Sequence, residues 1–272
     1  MSAIKKVIQV DPDRCGGCGA CVEACPAGLL ALEEGLPRMT REDSCIACGH
    51  CGAVCASGAL LAPKSSKAQP ELPAGPVLDP ELAERFLRSR RSIRRYQASA
   101  VPRETLLKLL DVARYAPSAI NSQGVVYRVL DDPAQVRRVA QCVVDWAEEG
   151  LASGRLPAYF QATVDRARHS GEDVILRGAP ALVLALVSPE SLRGRDTARF
   201  ALTYAELFAP SLGLGTCWAG YLEACLASGW PPLEELLQLP RGLMVGGALM
   251  VGVPDIRYHR LVEREPLAVT WQ

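Results

Sequence analysis

Eight cysteines near the start of the chain repeat one spacing twice, in two runs thirty residues apart. Each run has the form C-x2-C-x2-C-x3-C, and the eight are Cys15, Cys18, Cys21 and Cys25, then Cys45, Cys48, Cys51 and Cys55. Thiolates are soft ligands that bind zinc and iron. At this spacing they can surround one face of an iron–sulfur cubane, and Gly16, Gly17 and Gly19 permit the tight turns required. Backbone amides in such a loop point inward and stabilise a negative cluster.

Three other interpretations of these cysteines are weaker. Structural zinc prefers two separated C-x2-C pairs with four ligands to each ion, whereas triplets followed by single cysteines suit two cubanes. A disulfide framework needs an oxidising compartment, and the opening residues MSAIKKVIQVDPD contain no long apolar core or cleavage site for export. Accidental clustering does not produce a spacing this regular. The two runs therefore predict two clusters.

With Pro26 after the first run, residues 3–62 resemble the bacterial ferredoxins that hold two [4Fe-4S] clusters. In that pattern the fourth cysteine of each run reaches across to the other cluster. The resemblance therefore implies that one cluster is held by Cys15, Cys18, Cys21 and Cys55, and the other by Cys45, Cys48, Cys51 and Cys25.

Composition limits the class of protein. The chain has 272 residues, is 49% hydrophobic and has a formal net charge of zero, which suits one or two globular domains and gives no general attraction to nucleic acid or membranes. No apolar run is long enough to span a bilayer. The three remaining cysteines, Cys142, Cys217 and Cys225, are odd in number and scattered. We therefore expect a cytoplasmic protein without a nucleic-acid or membrane partner.

A change in composition marks the predicted domain boundary. The stretch from Pro63 to Pro80 contains five prolines, with serine, glycine and no apolar periodicity, which is typical of an extended linker. We predict a ferredoxin-like domain at 1–62, a linker at 63–79 and a second domain at 80–272.

The second domain is predicted to be α+β, because helices outnumber strands and do not alternate with them regularly. Helices are predicted at Pro80–Ser89, Pro102–Arg114, Pro133–Glu149, Leu156–His169 and Asp196–Leu212, the last interrupted by Pro210. Strands are predicted at Val125–Leu130, Ala181–Val187 and Leu243–Val253. In the first domain we predict short strands at Lys5–Val10, Leu29–Glu33 and Ala59–Ala62.

A second group of chemically informative residues begins with four arginines and a serine in the sequence R-R-S-I-R-R, at 90–95. Guanidinium groups at this density suit a phosphate or another oxyanion. Taken alone, the segment is more typical of a solvated helix end or a nucleic-acid patch, because runs of charge are usually solvated. Three further motifs accompany it: P-S-A-I-N-S-Q at 117–123, G-L-G-T-C-W-A-G-Y-L at 213–222 and G-V-P-D-I-R-Y-H-R-L-V-E-R-E-P-L at 252–267.

In this order and spacing, the four segments resemble the nitroreductase family of FMN-dependent oxidoreductases over about residues 80–272. The resemblance implies an α+β fold with a central mixed or antiparallel sheet, in an intertwined homodimer with an FMN in each of two clefts at the subunit interface. It also implies that the tail Leu267–Gln272 adds a strand to the partner's sheet. No G-x-G-x-x-G opens a helix after a strand, so a Rossmann nicotinamide domain is not expected.

The resemblance also assigns the cofactor-binding residues. Arg90, Arg91, Ser92 and Arg94 would hold the phosphate and ribityl chain; Pro117, Ser118 and Asn121 would bond the flavin edge from the partner subunit; Ala219 and Gly220 would supply amides near N5 and O4; Arg260 and Arg264 would clamp the phosphate. These types fit the chemistry, because FMN needs a dianion site and hydrogen-bond donors around a planar slot. No catalytic side chain is predicted. Cys217 has no evident histidine partner, so we interpret it as a small buried thiol.

Iron–sulfur clusters carry single electrons, whereas a flavin can deliver two together. Their presence in one chain suggests a protein that converts one-electron transfer into two-electron transfer. The leading hypothesis is that electrons enter through the cysteine domain, from an external ferredoxin or another redox protein, and reduce a small electrophile on the flavin. Nitroaromatics, quinones, enones and halogenated aromatics fit such a cleft. Two alternatives stay open: a module that relays electrons to a partner protein, and an enzyme that processes a flavin or another cofactor. The sequence does not fix the direction of electron flow, or whether NAD(P)H reduces the flavin directly.

Overall fold

A computed structural model describes residues 8–63 and 69–272, and these form two compact units. One unit runs to Val77 and also includes Ile120–Ser122, and the other comprises Leu78–Ala119 and Gln123–Gln272. Of the predicted strand Lys5–Val10, the part before residue 8 lies outside the described residues, as do residues 64–68 of the predicted linker.

The N-terminal unit is built from short elements. They are β1 (Gln9–Val10), α1 (Ala20–Glu23), β2 (Leu30–Glu33), β3 (Leu36–Met39), α2 (His50–Ala53) and β4 (Leu60–Leu61). β1 pairs antiparallel with β4, and β2 with β3. The β2–β3 turn consists of Glu34 and Gly35, whose φ values of 50° and 77° are those of a two-residue hairpin turn. β3 was not predicted from the sequence, because Pro37 is unfavourable inside a strand and is accommodated here at a sheet edge.

The thirty-residue repeat of the sequence is also present in the backbone of this unit. Gly19 and Gly49 precede α1 and α2 with φ values of 78° and 82°. Gly28 and Gly58, before β2 and β4, have φ values of 58° and 60°. Since only glycine adopts this region without strain, the same turns are required at equivalent positions of both halves.

The core of the N-terminal unit is small. Its buried members are Ile8, Leu30, Leu60 and Ala62, and four of the eight cysteines pack against them. So little buried apolar surface stabilises a domain weakly, and small domains of this kind usually depend on a metal or on cross-links.

The C-terminal unit is α+β, as predicted. Its helices are α3 (Pro80–Ser89), α4 (Arg103–Ala113), α5 (Pro133–Ala152), α6 (Phe160–Ser170), α7 (Gly194–Phe208), α8 (Gly220–Ala227) and α9 (Pro231–Leu237). Its strands are β5 (Val126–Leu130), β6 (Ala181–Val187), β7 (Gly215–Trp218) and β8 (Met244–Gly252). No helix in the described ranges is long and apolar enough to cross a membrane.

The four strands form one antiparallel sheet in the order β5-β6-β8-β7. Helices cover both of its faces. Alternate residues of β6, such as Leu182 and Leu184, belong to a core with α5, α6, α8 and α9, whereas Val183 and Ala185 belong to a core with α4 and α7. Because both faces are covered, all seven residues of β6 are buried, which explains its unbroken apolar sequence.

The predicted helix ends are largely confirmed. The Asp79 carboxylate accepts a hydrogen bond from the Leu82 amide at 2.9 Å, and Pro80 is the first residue of α3. α7 ends at Phe208 and passes into a 3-10 turn that contains Pro210. α6 starts at Phe160, later than predicted, because the preceding residues form a turn closed by a hydrogen bond from the Phe160 amide to the Pro157 carbonyl.

Three elements of the C-terminal unit were not predicted: β7, α8 and α9. No helix or strand was predicted within residues 213–222, yet Gly215–Trp218 is a strand. It has only four residues and begins with glycine, so its strand conformation comes from pairing with β8 and not from local propensity. α8 follows directly, and no side chain caps its first turn, so the usual sequence signal of a helix start is missing.

Gly215 allows β7 to pass close to Ile93 and Pro254. A Cβ atom at position 215 would lie 2.9 Å from Cγ of Pro254 and closer still to Ile93. We expect Gly215→Ala to destabilise the C-terminal unit by about 1–3 kcal/mol, because overpacking forces the backbone to shift. Thermal denaturation should then show a Tm lowered by several degrees. Gly124→Ala is the control, since a Cβ there meets no atom within 4 Å; equal Tm values for the two variants would contradict the close approach.

Candidate functional site

The structure brings the two cysteine runs together crosswise. Cys21 has Cys18 and Cys55 as electrostatic neighbours. Burial raises the pKa of Cys21 against the opposing hydrogen bonds of the Cys21 and Val22 amides, and the two neighbouring cysteines raise it further. Cys51 has Cys48 and Cys25 as neighbours, and burial followed by their influence raises its pKa in the same way. The fourth cysteine of each run thus lies beside the other run, which matches the ligand sets that the ferredoxin resemblance implies.

Left-handed turns shape both cysteine loops. Gly17 and Ala47, at equivalent positions of the two runs, have φ values of 66° and 52°. A Cβ at Gly17 would lie 2.9 Å from the Gly35 carbonyl oxygen, so the first loop has room only for glycine. The Ala47 amide donates to Sγ of Cys45 at 3.4 Å. Amides directed at cysteine sulfurs are the donors that a cluster with negative charge needs.

The surroundings of Cys55 favour its ionised form. Burial alone would raise its pKa, but hydrogen bonds from the Ser57 hydroxyl and from the amides of Leu60 and Ala59 lower the pKa below its usual value. The Ser57 Oγ lies 3.6 Å from the Cys55 sulfur. The thiolate is the form that binds iron, so these contacts prepare Cys55 for ligation.

The spacing of the cysteines, as triplets followed by single residues, suits cubanes better than mononuclear sites. Within residues 8–63 and 69–272, no three His, Cys, Asp or Glu side chains are grouped as they would be around a single ion. In a cubane each cysteine sulfur binds a different iron, so the four ligands lie farther apart than the ligands of one zinc ion.

The arginine segment extends the sheet of the C-terminal unit along β7. Ser92 forms a parallel bridge with Thr216, and the Ile93 amide donates to the Thr216 carbonyl at 2.8 Å. Farther along, the Gln97 amide donates to the Val253 carbonyl at 2.9 Å. The predicted phosphate-binding segment is therefore fixed against the sheet between β7 and the residues that follow β8.

Arg90 is not a solvated helix end. Its Nη1 lies 3.0 Å from Oε1 of Glu206, whose side chain is only 6% exposed, compared with 28% for Arg90. The other carboxylate oxygen of Glu206 accepts a hydrogen bond from Nε1 of Trp218 at 3.3 Å. Arg91 is half-buried and Arg94 is exposed. Among the contacts of the described residues, Arg90 is thus the arginine of this segment that is paired with a buried acid.

Ala219 and Gly220 lie where β7 becomes α8. The Ala219 amide donates to the Ala248 carbonyl at 3.0 Å and so continues the pairing of β7 with β8. Gly220 is exposed as the first residue of α8. Cys217 is buried, and burial raises its pKa against the opposing effect of the nearby Arg94. A thiol that stays protonated fits the interpretation of Cys217 as a buried residue without a nucleophilic role.

The other predicted ligands lie elsewhere. Ser118 Oγ accepts a hydrogen bond from the Gln123 amide at 3.1 Å, beside the exposed Pro117. Asn121 belongs to the N-terminal unit, where its side-chain amide donates to the Ala47 carbonyl at 2.8 Å. Arg260 and Arg264 are exposed in the irregular segment after β8. Their roles toward FMN stay predictions.

Sequence reasoning missed two carboxylates of this region. Glu206 is one of them. Glu223, in α8, accepts a hydrogen bond from the Ala248 amide at 2.9 Å and pairs with Arg199 at 3.3 Å. A signal for Glu206 was present, since it is an acid among Ala205, Leu207 and Phe208 in an otherwise apolar stretch. A buried acid of this kind needs a cation or a donor.

A cleft of about 580 Å³ opens between α7, α8 and the loop before β8. Its lining includes Gly220, Glu223, Arg195, Arg199 and Arg241. Because Gly220 belongs both to this cleft and to the predicted flavin edge, the cleft is the candidate space for a small molecule beside a flavin.

Crossed cysteine sets and an arginine segment beside an antiparallel α+β sheet are the features of an iron–sulfur oxidoreductase. Comparison with family models assigns residues 7–56 to a 4Fe-4S dicluster domain and residues 87–253 to the nitroreductase family. The chain therefore belongs to the nitroreductase family and carries an additional N-terminal 4Fe-4S domain, which confirms the predicted fusion.

Individual relatives agree with this assignment. The chain is 27% identical over 171 residues to an iodotyrosine deiodinase of Thermotoga neapolitana, covering 62% of this chain and 86% of that protein. It is 32% identical over 149 residues to the nitroreductase NfnB of Mycolicibacterium smegmatis, covering 52% of this chain and 62% of that one. A nitroreductase of Bacteroides fragilis, solved with bound FMN, matches with a TM-score of 0.56 at 18% identity, over 71% of this chain and all of the other. At this identity the last match shows the fold alone.

Proposed function

We propose that the protein binds FMN and two [4Fe-4S] clusters in each chain and passes electrons between them to reduce a small electrophilic organic molecule. The observation that carries the proposal is the presence in one chain of two crossed cysteine sets and a nitroreductase-family domain. When bound, the clusters supply single electrons and FMN supplies hydride chemistry, so together they convert one-electron transfer into two-electron transfer.

The cluster ligands in this proposal are the two crossed sets. One set is Cys15, Cys18, Cys21 and Cys55, and the other is Cys45, Cys48, Cys51 and Cys25. Amide donors to sulfur, such as that of Ala47 to Cys45, would offset the negative charge of a cluster. Ligation would also supply stability that the small apolar core lacks.

The FMN phosphate in this proposal is held by cationic side chains of two segments. Arg90 is already paired with Glu206, so among the arginines assigned to FMN in the first segment Arg91 and Arg94 would supply the charge for the phosphate. Arg260 and Arg264 would add to it from the second. Arginine suits this task because its planar fork binds phosphate oxygens in pairs.

An aromatic group beside α8 would limit the access of water to the reacting face. The Tyr221 hydroxyl lies 3.1 Å from Thr163 Oγ1 in α6, and the rings of Tyr221 and Phe160 are 5.5 Å apart. Phe160 in turn meets Trp146 edge-on at 5.8 Å. These contacts hold α6 against α8 near its start, where α6 would act as a cover.

The proposed substrates are electron-poor aromatic or conjugated molecules. The names of the two sequence relatives, a deiodinase and a nitroreductase, favour halogenated and nitro-substituted rings over quinones and enones. The lining of the cleft beside Gly220 holds three arginines, Arg195, Arg199 and Arg241, and two glutamates, Glu223 and Glu234. Its small positive excess would only slightly favour a substrate with negative charge.

We also propose a homodimer, with the C-terminal tail as one part of the interface. Leu267 and Trp271 are 89% and 90% exposed, and Val269 between them is half exposed. Large apolar side chains in such a row are costly in water and are expected to be covered by a second copy. We place this dimer in the cytoplasm, with an external ferredoxin or a similar redox protein as its electron donor.

The proposal is tested by anaerobic reduction of the purified protein, with iron and flavin quantified and the spectra followed. We expect about eight irons and one FMN per chain, and bleaching of the flavin by reduced ferredoxin but not by NAD(P)H alone. A nitroarene and a halophenol should then reoxidise the flavin. Rapid direct reduction by NAD(P)H would indicate that electrons flow from the flavin to the clusters, opposite to the proposed direction. A protein without flavin would refute the proposal. Oxidation only by a partner protein would favour the relay module.

A further inference from the structure

We infer that Glu206 is a positioning residue of the flavin site, an inference that rests on the function proposed above. Its carboxylate joins the start of the arginine segment to the end of β7, and so fixes two predicted cofactor-binding segments relative to each other.

The buried position of the Glu206 carboxylate is energetically unfavourable unless the residue has such a role. It lies in α7, next to Ala205 and one turn from Leu202, which are both fully buried in the core that α7 shares with the sheet. The residue is 5% exposed. A carboxylate in such surroundings is destabilising unless both of its oxygens are paired.

Both oxygens of Glu206 are paired, with residues from two other parts of the chain. Oε1 lies 3.0 Å from Nη1 of Arg90, and Oε2 accepts from Nε1 of Trp218 at 3.3 Å. Three separate elements therefore meet at one carboxylate: the segment after α3, the helix α7 and the end of β7. An ordinary ion pair at the surface joins two exposed side chains and does not connect three elements in this way.

Trp218 is confined on its other sides as well. A Cβ atom at Gly247 of β8 would lie 3.0 Å from its ring, so the indole packs directly on the β8 backbone. The Arg199 guanidinium lies 5.9 Å from the ring centre. Since Ala219 and Gly220 follow immediately, the orientation of Trp218 sets the direction in which their backbone leaves the sheet. Glu206 acts on the predicted flavin edge through this side chain.

The same carboxylate also sets the local charge. Paired with Glu206, Arg90 adds no net charge to the site. Replacing the acid by its amide would leave Arg90 as an uncompensated cation beside the cofactor. A nearby cation stabilises the more negative, reduced form of a flavin, so its reduction potential should rise.

The test compares Glu206→Gln and Trp218→Phe in the full chain. We expect Glu206→Gln to weaken FMN binding about tenfold, measured by titration of flavin-depleted protein, and to shift the flavin potential upward with iron content unchanged. Trp218→Phe removes the hydrogen bond but not the charge, so it should weaken FMN binding without that upward shift. Glu84→Gln is the control, because Glu84 pairs with Arg88 on the exposed face of α3.

Three results would overturn the inference. Equal FMN affinity and potential in wild type and Glu206→Gln would remove the positioning role and leave the proposed function standing. An unchanged NMR signal of the Trp218 indole N–H in Glu206→Gln, assigned with Trp218→Phe, would refute the contact itself whether or not flavin is present. A wild-type protein that binds no FMN would refute the proposed function together with this inference.

Discussion

Replacement of Cys18 by serine is expected to remove one iron–sulfur cluster, about four irons per chain, while FMN stays bound. Serine is a poor ligand for iron, and a cubane that loses one of four thiolates is rarely retained. Iron analysis, flavin absorbance and EPR of the reduced protein measure this together. Cys142→Ser is the matched control, because Cys142 lies in α5 outside both runs, and it should keep all the iron. Loss of flavin along with iron from Cys18→Ser would contradict the independence of the two sites.

The crossed arrangement sharpens this expectation. Cys18 and Cys55 are both neighbours of Cys21, although Cys55 belongs to the other run in sequence. Cys55→Ser should therefore remove the same cluster as Cys18→Ser, and the double variant should lose no more iron than either single variant. Combining Cys18→Ser with Cys25→Ser should instead remove both clusters. If Cys18 and Cys25 shared a cluster, this second pair would lose only about four irons per chain.

The cysteine site could be inferred from the sequence because three of the four proposed ligands of each set lie close together in the chain. A spacing of two or three residues fixes which sulfurs can approach one another, and the glycines between them fix the turns. The long buried elements were also predictable. β6 was predicted at its observed bounds, since two covered faces leave an unbroken apolar run in the sequence.

The sequence indicated the segments of the predicted flavin site but not the contacts between them. Glu206 lies 116 residues from Arg90, and nothing local in the sequence indicates that the two meet. β7 and α8 were missed for a similar reason: their conformations come from pairing with β8 and packing below it, and a four-residue strand beginning with glycine has no local signature. Arg90 and Arg94 were both assigned to the phosphate by the family resemblance, and the buried partner of Arg90 distinguishes the two in the structure.

This difference between the two arginines predicts different defects. Arg90→Ala leaves the Glu206 carboxylate buried without its cation, which should destabilise the domain by about 3 kcal/mol. This is the lower end of the loss expected when a buried ion pair is broken, because Arg90 keeps some contact with solvent. Arg94 is exposed, so Arg94→Ala should leave the thermal stability nearly unchanged. Its loss should act on the cofactor, because a charge-assisted contact to phosphate contributes about 1.5–3 kcal/mol.

The double variant Arg90→Ala with Arg94→Ala should accordingly lose FMN during purification, with its iron content unchanged. Removing one phosphate contact and the anchor of Glu206 together should weaken FMN binding about a hundredfold or more. Arg95→Ala is the matched control, since Arg95 is exposed in the same segment and its backbone carbonyl, which the substitution keeps, accepts from the Asp255 amide at 3.0 Å. Flavin per chain after gel filtration and the FMN affinity decide the result. Normal flavin occupancy in the double variant would remove the phosphate site from this segment and leave Arg260 and Arg264 as the proposed anion site.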